Sequence, residues 1–229
     1  MTDKLENITA CVFDAYGTLF DVNAAAAHCA DDLGDKWQPL AEVWRNKQLQ
    51  YTWLRSLMRR HVDFWQVTTD ALDYALDTMG VSDAALRQKL LDLYMQLDAY
   101  DEVKDVLTTL KDAGLKTAIL SNGSPDMLAS AVRNAGLDDV LDVSLSVEDV
   151  GIYKPDPLVY QMVIDHFSIA PEAVSFQSSN AWDAAGAATF GFRVVWVNRF
   201  GQAPERLPDQ PDFEVKTLAA LPAIVGLSV

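Results

Sequence analysis

Apolar positions along the chain fall into two alternating patterns. Five short runs rich in Val, Ile, Leu and Phe read as buried parallel strands, near Thr9–Asp14, Lys116–Ser121, Val140–Leu145, Val174–Ser178 and Arg193–Val197. Between the later runs the period lengthens to that of a helix. In DEVKDVLTTLKDAG, Val103, Val106, Leu107 and Leu110 share one face and Gly114 supplies the stop. In SPDMLASAVRNAG, Ser124 is placed to cap, Pro125 fits the first helical position, and Gly136 ends a stripe of Leu128, Ala131, Val132 and Ala135. In DPLVYQMVIDHF, Asp156 caps, Pro157 opens the helix, and Val159, Val163 and Phe167 face inward. This alternation predicts an α/β fold, a Rossmann-like doubly wound parallel sheet with helices on both faces.

The first two strand runs lie about 100 residues apart, whereas an ordinary crossover needs a dozen or more. The excess, roughly Val22 to Ala99, carries helical patterns and no convincing strand. It predicts a helical cap domain at 22–99 inserted into a core made of 1–21 and 100–229. A longer helical layer on the same core is the alternative. Asp21 suits a turn or cap where the chain enters this insertion. The stretch Trp44–Met58, dense in Trp, Leu and Tyr, suits either the interior of the insertion or a face between two copies of the chain.

Composition narrows the function classes. The chain has 229 residues, 50% of them hydrophobic, enough for a full core. A net charge of −15 disfavours nucleic acid as a partner. No basic start precedes a long apolar stretch, and no run approaches the roughly 20 apolar residues of a membrane helix. The expected location is therefore cytoplasmic, with no membrane partner. Cys11 and Cys29 are expected as reduced thiols rather than a disulfide.

Open α/β sheets bind ligands beyond the carboxyl ends of their strands. The first run ends at Asp14 in FDAYGTLFD, the second at Ser121-Asn122-Gly123, and the fourth at Ser178-Ser179-Asn180, with Asp183 one turn on. Tyr153-Lys154-Pro155 precedes the fourth. A carboxylate, hydroxyls, an amide and an ammonium thus converge on one rim, each weak alone and informative as an ordered set.

That ordered set resembles the haloacid dehalogenase superfamily over essentially the whole chain. Its phosphatases resemble DxD at the first motif, where the second acid protonates the leaving oxygen and helps hold Mg²⁺. Here that position is Tyr16, a phenol of ordinary pKa near 10 and a poor Mg²⁺ ligand. The acidic fourth motif reads SSNAWD, leaving one carboxylate, Asp183. DAYGTLFDV, WRNKQLQYTWLRSLM, SNGSP, YKPDPLVY and SSNAWDAAGA are instead similar to the L-2-haloacid dehalogenase branch. Ala15 departs from the bulkier aliphatic residue expected of some relatives. A Mg²⁺-dependent phosphatase on the same fold is the runner-up. A non-enzymatic module is a third alternative, which loss of Asp14 or Lys154 would have favoured.

The resemblance implies hydrolysis of small L-2-haloalkanoic acids to D-2-hydroxyacids, with inversion and with no cofactor or metal. Asp14 would be the nucleophile, forming an ester, and Arg45 would receive the halide. Leu49, Phe64 and Trp182 would wall the alkyl end, although packing alone would also account for Phe64 and Trp182. Ser121, Asn122 and the backbone at Ala15 and Tyr16 would anchor the carboxylate. Lys154 would hold Asp14 ionised. Thr18, Ser178 and Tyr160 would support the network, with Tyr160 equally suited to the core. Asn180 and Asp183 would position or activate water. His28, His61 and His166 match no motif. The family resemblance further implies a homodimer.

Overall fold

The structure, a computed structural model, describes residues 4–227. The chain opens with β1 (Ala10–Phe13), passes through five helices, α1 (Ala24–Ala27), α2 (Ala30–Leu33), α3 (Trp37–Met58), α4 (Phe64–Met79) and α5 (Ala84–Tyr94), and then reaches α6 (Val103–Asp112). It continues as β2 (Lys116–Ser121), α7 (Pro125–Asn134), β3 (Val143–Ser146), α8 (Pro157–Phe167), β4 (Val174–Ser178), α9 (Ala181–Phe190), β5 (Arg193–Val197), β6 (Phe213–Val215) and α10 (Leu221–Ile224).

All six strands are parallel, in the order β3-β2-β1-β4-β5-β6. β1 is central, with Phe13 level with Ile119 on one side and Gln177 on the other. Its four residues are all buried, as expected of a strand covered on both faces. From β1 the chain winds outward through β2 to β3, then returns to wind the other way through β4 and β5. Right-handed crossovers therefore put the two sets of helices on opposite faces. Accordingly, α6 packs with α10, and α8 with α9. The winding reverses between β1 and β4, and the crevice beyond their carboxyl ends is where such a sheet takes a ligand.

Two strand expectations need correction. The third strand begins at Val143, not Val140. Thr117 draws the preceding segment across the end of β2, because its hydroxyl donates to the Val140 carbonyl at 2.7 Å and its carbonyl accepts the Asp142 N–H at 2.8 Å. The edge strand β6 was not expected; its three residues are too few to show a period. Ser124 occupies the capping position of α7 but its side chain makes no capping bond. Asp156 does cap α8, accepting from the Leu158 N–H at 3.0 Å. Cys11 and Cys29 are free and buried.

The insertion between β1 and β2 is helical throughout. The 22 residues of α3 span about 33 Å and pack along α4, whose start is capped by Asp63. Leu40, Trp44, Phe64, Val67, Leu72 and Leu90 are buried there. The chain leaves and re-enters the sheet at one place. Asp21 N–H donates to the Asp98 carbonyl and Tyr100 N–H to that of Leu19, both at 3.0 Å, around an antiparallel bridge between Phe20 and Ala99. Asp21 also turns the outgoing strand, accepting from Asn23 N–H at 2.9 Å. Arg199 braces this crossing: it donates to the Thr18 carbonyl at 2.8 Å, pairs with Glu102 at 2.8 Å, and lies 3.7 Å from the centre of the Tyr100 ring. Among the described residues no helix is long and apolar enough to cross a membrane.

Candidate active site

Asp14 is the first residue past β1. Its N–H donates to the Gln177 carbonyl at 2.8 Å, so the ladder with β4 fixes its backbone. The chain then turns sharply, with the Ala15 carbonyl accepting from Leu19 N–H at 2.9 Å and Phe20 N–H at 3.0 Å. Gly17 makes this turn possible. Its φ is +91°, and a Cβ there would stand 2.9 Å from Ser179 Oγ. The Ala15 and Tyr16 N–H groups have no backbone partner among the described residues.

Three donors converge on the Asp14 carboxylate. Lys154 Nζ lies 3.1 Å from Oδ1, while Asn180 Nδ2 at 2.8 Å and Thr18 Oγ1 at 3.2 Å reach Oδ2. Lys154 also donates to Asp183 at 2.9 Å, and Asp183 accepts from the Tyr160 hydroxyl at 2.8 Å. Asp14, Lys154 and Asp183 are 6%, 1% and 0% exposed, so these charges interact through protein rather than water. Burial alone would push the Lys154 pKa down, but the two carboxylates override it and hold it above its ordinary value. Asp183 is pushed up, first by burial and then by the charge on Asp14, against the pull of Lys154 and Tyr160. Burial also raises Tyr160 and Tyr16 well above the ordinary phenol value, so both remain hydroxyl donors.

Arg45 comes from α3. Its Nη2 donates to Asn180 Oδ1 at 3.0 Å and lies 3.5 Å from the Tyr16 carbonyl oxygen; the shorter contact dominates. Asn180 therefore stands between the cation and Asp14. A cleft of about 680 Å³ opens on the other side, lined by Arg45, Leu49, Asn180, Trp182, Trp37 and Phe200. Trp182 packs edge-on to Trp53, and its buried Nε1–H has no partner among the described residues. Phe64 packs 5.8 Å from the Tyr16 ring. Tyr16 also rests on Gly123, where a Cβ would lie 2.7 Å from its ring. Ser121 Oγ accepts from Gly123 N–H at 3.0 Å, and Asn122 Oδ1 accepts from Lys154 N–H at 3.0 Å.

Not every expected residue faces the nucleophile directly. Ser178 is taken up in the β4–α9 turn, its Oγ accepting from Asn180 N–H at 3.1 Å. Tyr160 reaches Asp14 only through Asp183 and Lys154. Two residues escaped the sequence reasoning. Ser179 N–H donates to Thr18 Oγ1 at 2.7 Å and so orients the hydroxyl that contacts Asp14; the Ser-Ser doublet was the available signal. Tyr94 stacks on Tyr16 at 5.8 Å from the far end of the insertion, where no local motif marks it. His61 pairs with Glu148 at 2.8 Å and packs 4.7 Å from the Tyr153 ring. Among the described residues, no three His, Cys, Asp or Glu side chains are placed to share a metal ion.

Residues 8–191 match the family model of haloacid dehalogenase-like hydrolases. The chain belongs to that family. This hydrolase is 46% identical over 222 residues to (S)-2-haloacid dehalogenase 1 of Pseudomonas sp. (strain CBS-3), covering 96% of this chain and 98% of that one. A crystal structure of a dehalogenase superposes with a TM-score of 0.95 at 43% identity, covering 97% of this chain and 99% of that one. The L-2-haloacid dehalogenase of Xanthobacter autotrophicus, solved with chloropropionic acid covalently bound, superposes with a TM-score of 0.89 at 39% identity, covering 96% and 100%. Within the family, the chain falls with the L-2-haloacid dehalogenases.

Proposed function

We propose that this hydrolase converts L-2-haloacids and water to D-2-hydroxyacids, halide and a proton. The carrying observation is a buried Asp14 held by three donors, with Tyr16 rather than a second carboxylate two positions on. A carboxylate so fixed is a nucleophile with its orientation prepaid. It attacks C2 opposite the halogen, the C–X bond breaks, and the halide leaves with the electron pair toward Arg45. The guanidinium stabilises that charge. The free N–H groups of Ala15 and Tyr16, with Ser121 and Asn122 nearby, suit the substrate carboxylate. Leu49, Phe64 and Trp182 suit its alkyl end.

Water then adds to the carbonyl carbon of the Asp14 ester and gives its proton to Asp183. The ester C–O bond on the enzyme side breaks, the departing alkoxide takes the second proton of that water to become the hydroxyl of the product, and Asp14 returns as a carboxylate with one oxygen from water while Asp183 releases its proton. Only the first step touches C2, so configuration inverts once. Lys154 stays ionised throughout and balances two carboxylates in turn. Residues 22–99 act as a cap domain that brings Arg45 and the apolar wall over the core of 1–21 and 100–229.

A homodimer is supported by the outer face of α3 and α4, where Leu57 is 82%, Met58 61% and Tyr74 43% exposed. Trp44, Gln48 and Thr52 face inward on the same helix, so α3 can serve both surfaces. A cytoplasmic setting suits two buried free thiols. Sedimentation of the wild type against Leu57→Lys tests the dimer.

Activity is tested by halide release from L- and D-2-chloropropionate with a chelator present, beside a generic phosphate ester with Mg²⁺. The expected result is halide from the L-form alone. Phosphate release without halide would overturn the proposal and favour the phosphatase.

A further inference from the structure

The interior of the insertion contains a polar chain that its packing does not require. Thr68, Gln48 and Tyr94 are 0%, 1% and 3% exposed. Tyr94, the last residue of α5, donates its hydroxyl to Gln48 Oε1 at 3.3 Å. Gln48 Nε2 donates to Thr68 Oγ1 at 3.0 Å, and Trp44 Nε1 donates to the Thr68 carbonyl at 2.9 Å. Apolar residues of similar volume would fill this space without a desolvation cost. A satisfied buried network specifies one arrangement of the helices that carry it.

The arrangement it specifies is that of the halide side of the site. Gln48 lies three residues after Arg45 on α3 and shares its face. The Tyr94 ring lies nearly parallel to Tyr16, 5.8 Å away at 16°, and 5.0 Å from Trp44. Tyr16 is thereby confined by Tyr94, by Phe64 and by Gly123. Its carbonyl in turn faces both Arg45 at 3.5 Å and Asn180 at 3.4 Å. Tyr94 thus reaches the Arg45 guanidinium through Tyr16 and through the register of α3, and the guanidinium also acts directly on the Tyr94 hydroxyl.

We propose that Tyr94, fixed by Gln48, is a positioning residue that sets Tyr16 and Arg45 for departure of the halide; the proposal rests on the dehalogenase function above. Its signature is leaving-group dependence. Chloride concentrates its charge more than bromide and leaves less readily, so its departure depends more on a well-placed cation. Loss of the Tyr94 hydroxyl should therefore harm chloride release more than bromide release, while loss of mere packing would harm both alike.

The experiment compares kcat/KM for L-2-chloropropionate and L-2-bromopropionate, which reports events up to carbon–halogen cleavage. The proteins are wild type, Tyr94→Phe, Gln48→Met and the control Arg87→Ala. Arg87 pairs with Asp73 on the outside of the same insertion. Thermal unfolding checks that each is folded. Tyr94→Phe and Gln48→Met are each expected to lower the chloride value about tenfold or more and to raise the bromide-to-chloride ratio at least about threefold. Arg87→Ala is expected to keep the wild-type ratio. An unchanged ratio in both interior variants overturns the proposal, as does failure of both to fold, which would make the network a folding element. If only one folds, its ratio decides. Absence of halide release from wild type would instead overturn the dehalogenase function itself.

Discussion

Asn180 Nδ2 stands 2.8 Å from Asp14 Oδ2. The amide joins the nucleophile to the arginine, because its other end accepts from Arg45 at 3.0 Å. Asn180→Asp replaces the donor by an acceptor and faces Asp14 with a like charge. Its new carboxylate also competes for Arg45. We expect kcat/KM for L-2-chloropropionate to fall by about a hundredfold or more. Steady-state halide release measures this, and an unchanged value would detach Asn180 from the chemistry.

Asp183 should govern the acid side of turnover. Burial and the neighbouring Asp14 charge raise its pKa, and proton acceptance needs the ionised form. As pH falls, kcat should therefore decline through a value above the ordinary aspartate value of about 3.9. Tyr160→Phe removes a donor to the ionised form, so its acid limb should move to higher pH. Asp183→Asn should leave the Asp14 ester unhydrolysed, visible as a mass gain of the intact protein. An acid limb unmoved by Tyr160→Phe would count against Asp183 as the base.

Gly123→Ala should separate activity from stability. The added Cβ meets Tyr16 at 2.7 Å from Cε2, and the ring is backed by Tyr94. Overpacking of this kind costs about 1–3 kcal/mol. Tyr16 adjoins the nucleophile, so kcat/KM should fall by more than the loss in unfolding free energy explains. Denaturant unfolding and steady-state kinetics on one preparation give both numbers.

Asp142 should contribute stability that acid removes. Burial would raise its pKa, but Thr117 N–H at 2.9 Å and the charges of Lys111 and Lys116 more than reverse this and lower it. A carboxyl depressed in the folded state stabilises it above the unfolded value, near 3.9, and that contribution is lost as pH falls through the lower folded value. Asp142→Ala should thus cost about 1–2 kcal/mol at pH 7. The gap from wild type should close below about pH 4. A gap independent of pH would assign the cost to packing.

The sheet was legible because buried parallel strands are continuous apolar runs; four of the five expected runs lie within a residue of β1, β2, β4 and β5. Val140–Asp142 misled because Thr117 binds that segment as a loop, a tertiary contact with no local pattern. Asp14 and Asn180 stood out just past strand ends, Asp183 one helical turn beyond β4, and Lys154 in the Tyr-Lys-Pro run between β3 and β4. Tyr94 did not, since its stacking on Tyr16 depends on how the end of α5 comes to rest against the turn after β1. Ser179 was overlooked beside Ser178 because a strand's alternation decides which hydroxyl faces Thr18, and β4 ends between them.

The crossing of Leu19–Asp21 with Asp98–Tyr100 means that the chain leaves for its five inserted helices and returns from them at one place. Their length and packing can change without altering the register of any strand. The nucleophile, the ammonium and Asp183 lie on the sheet side of that point, while Arg45, Leu49 and Phe64 lie beyond it. Bond-making and leaving-group acceptance are thus written in separable stretches of one gene. Selection can retune which halogen departs, and from how bulky an acid, while the displacement chemistry is inherited intact.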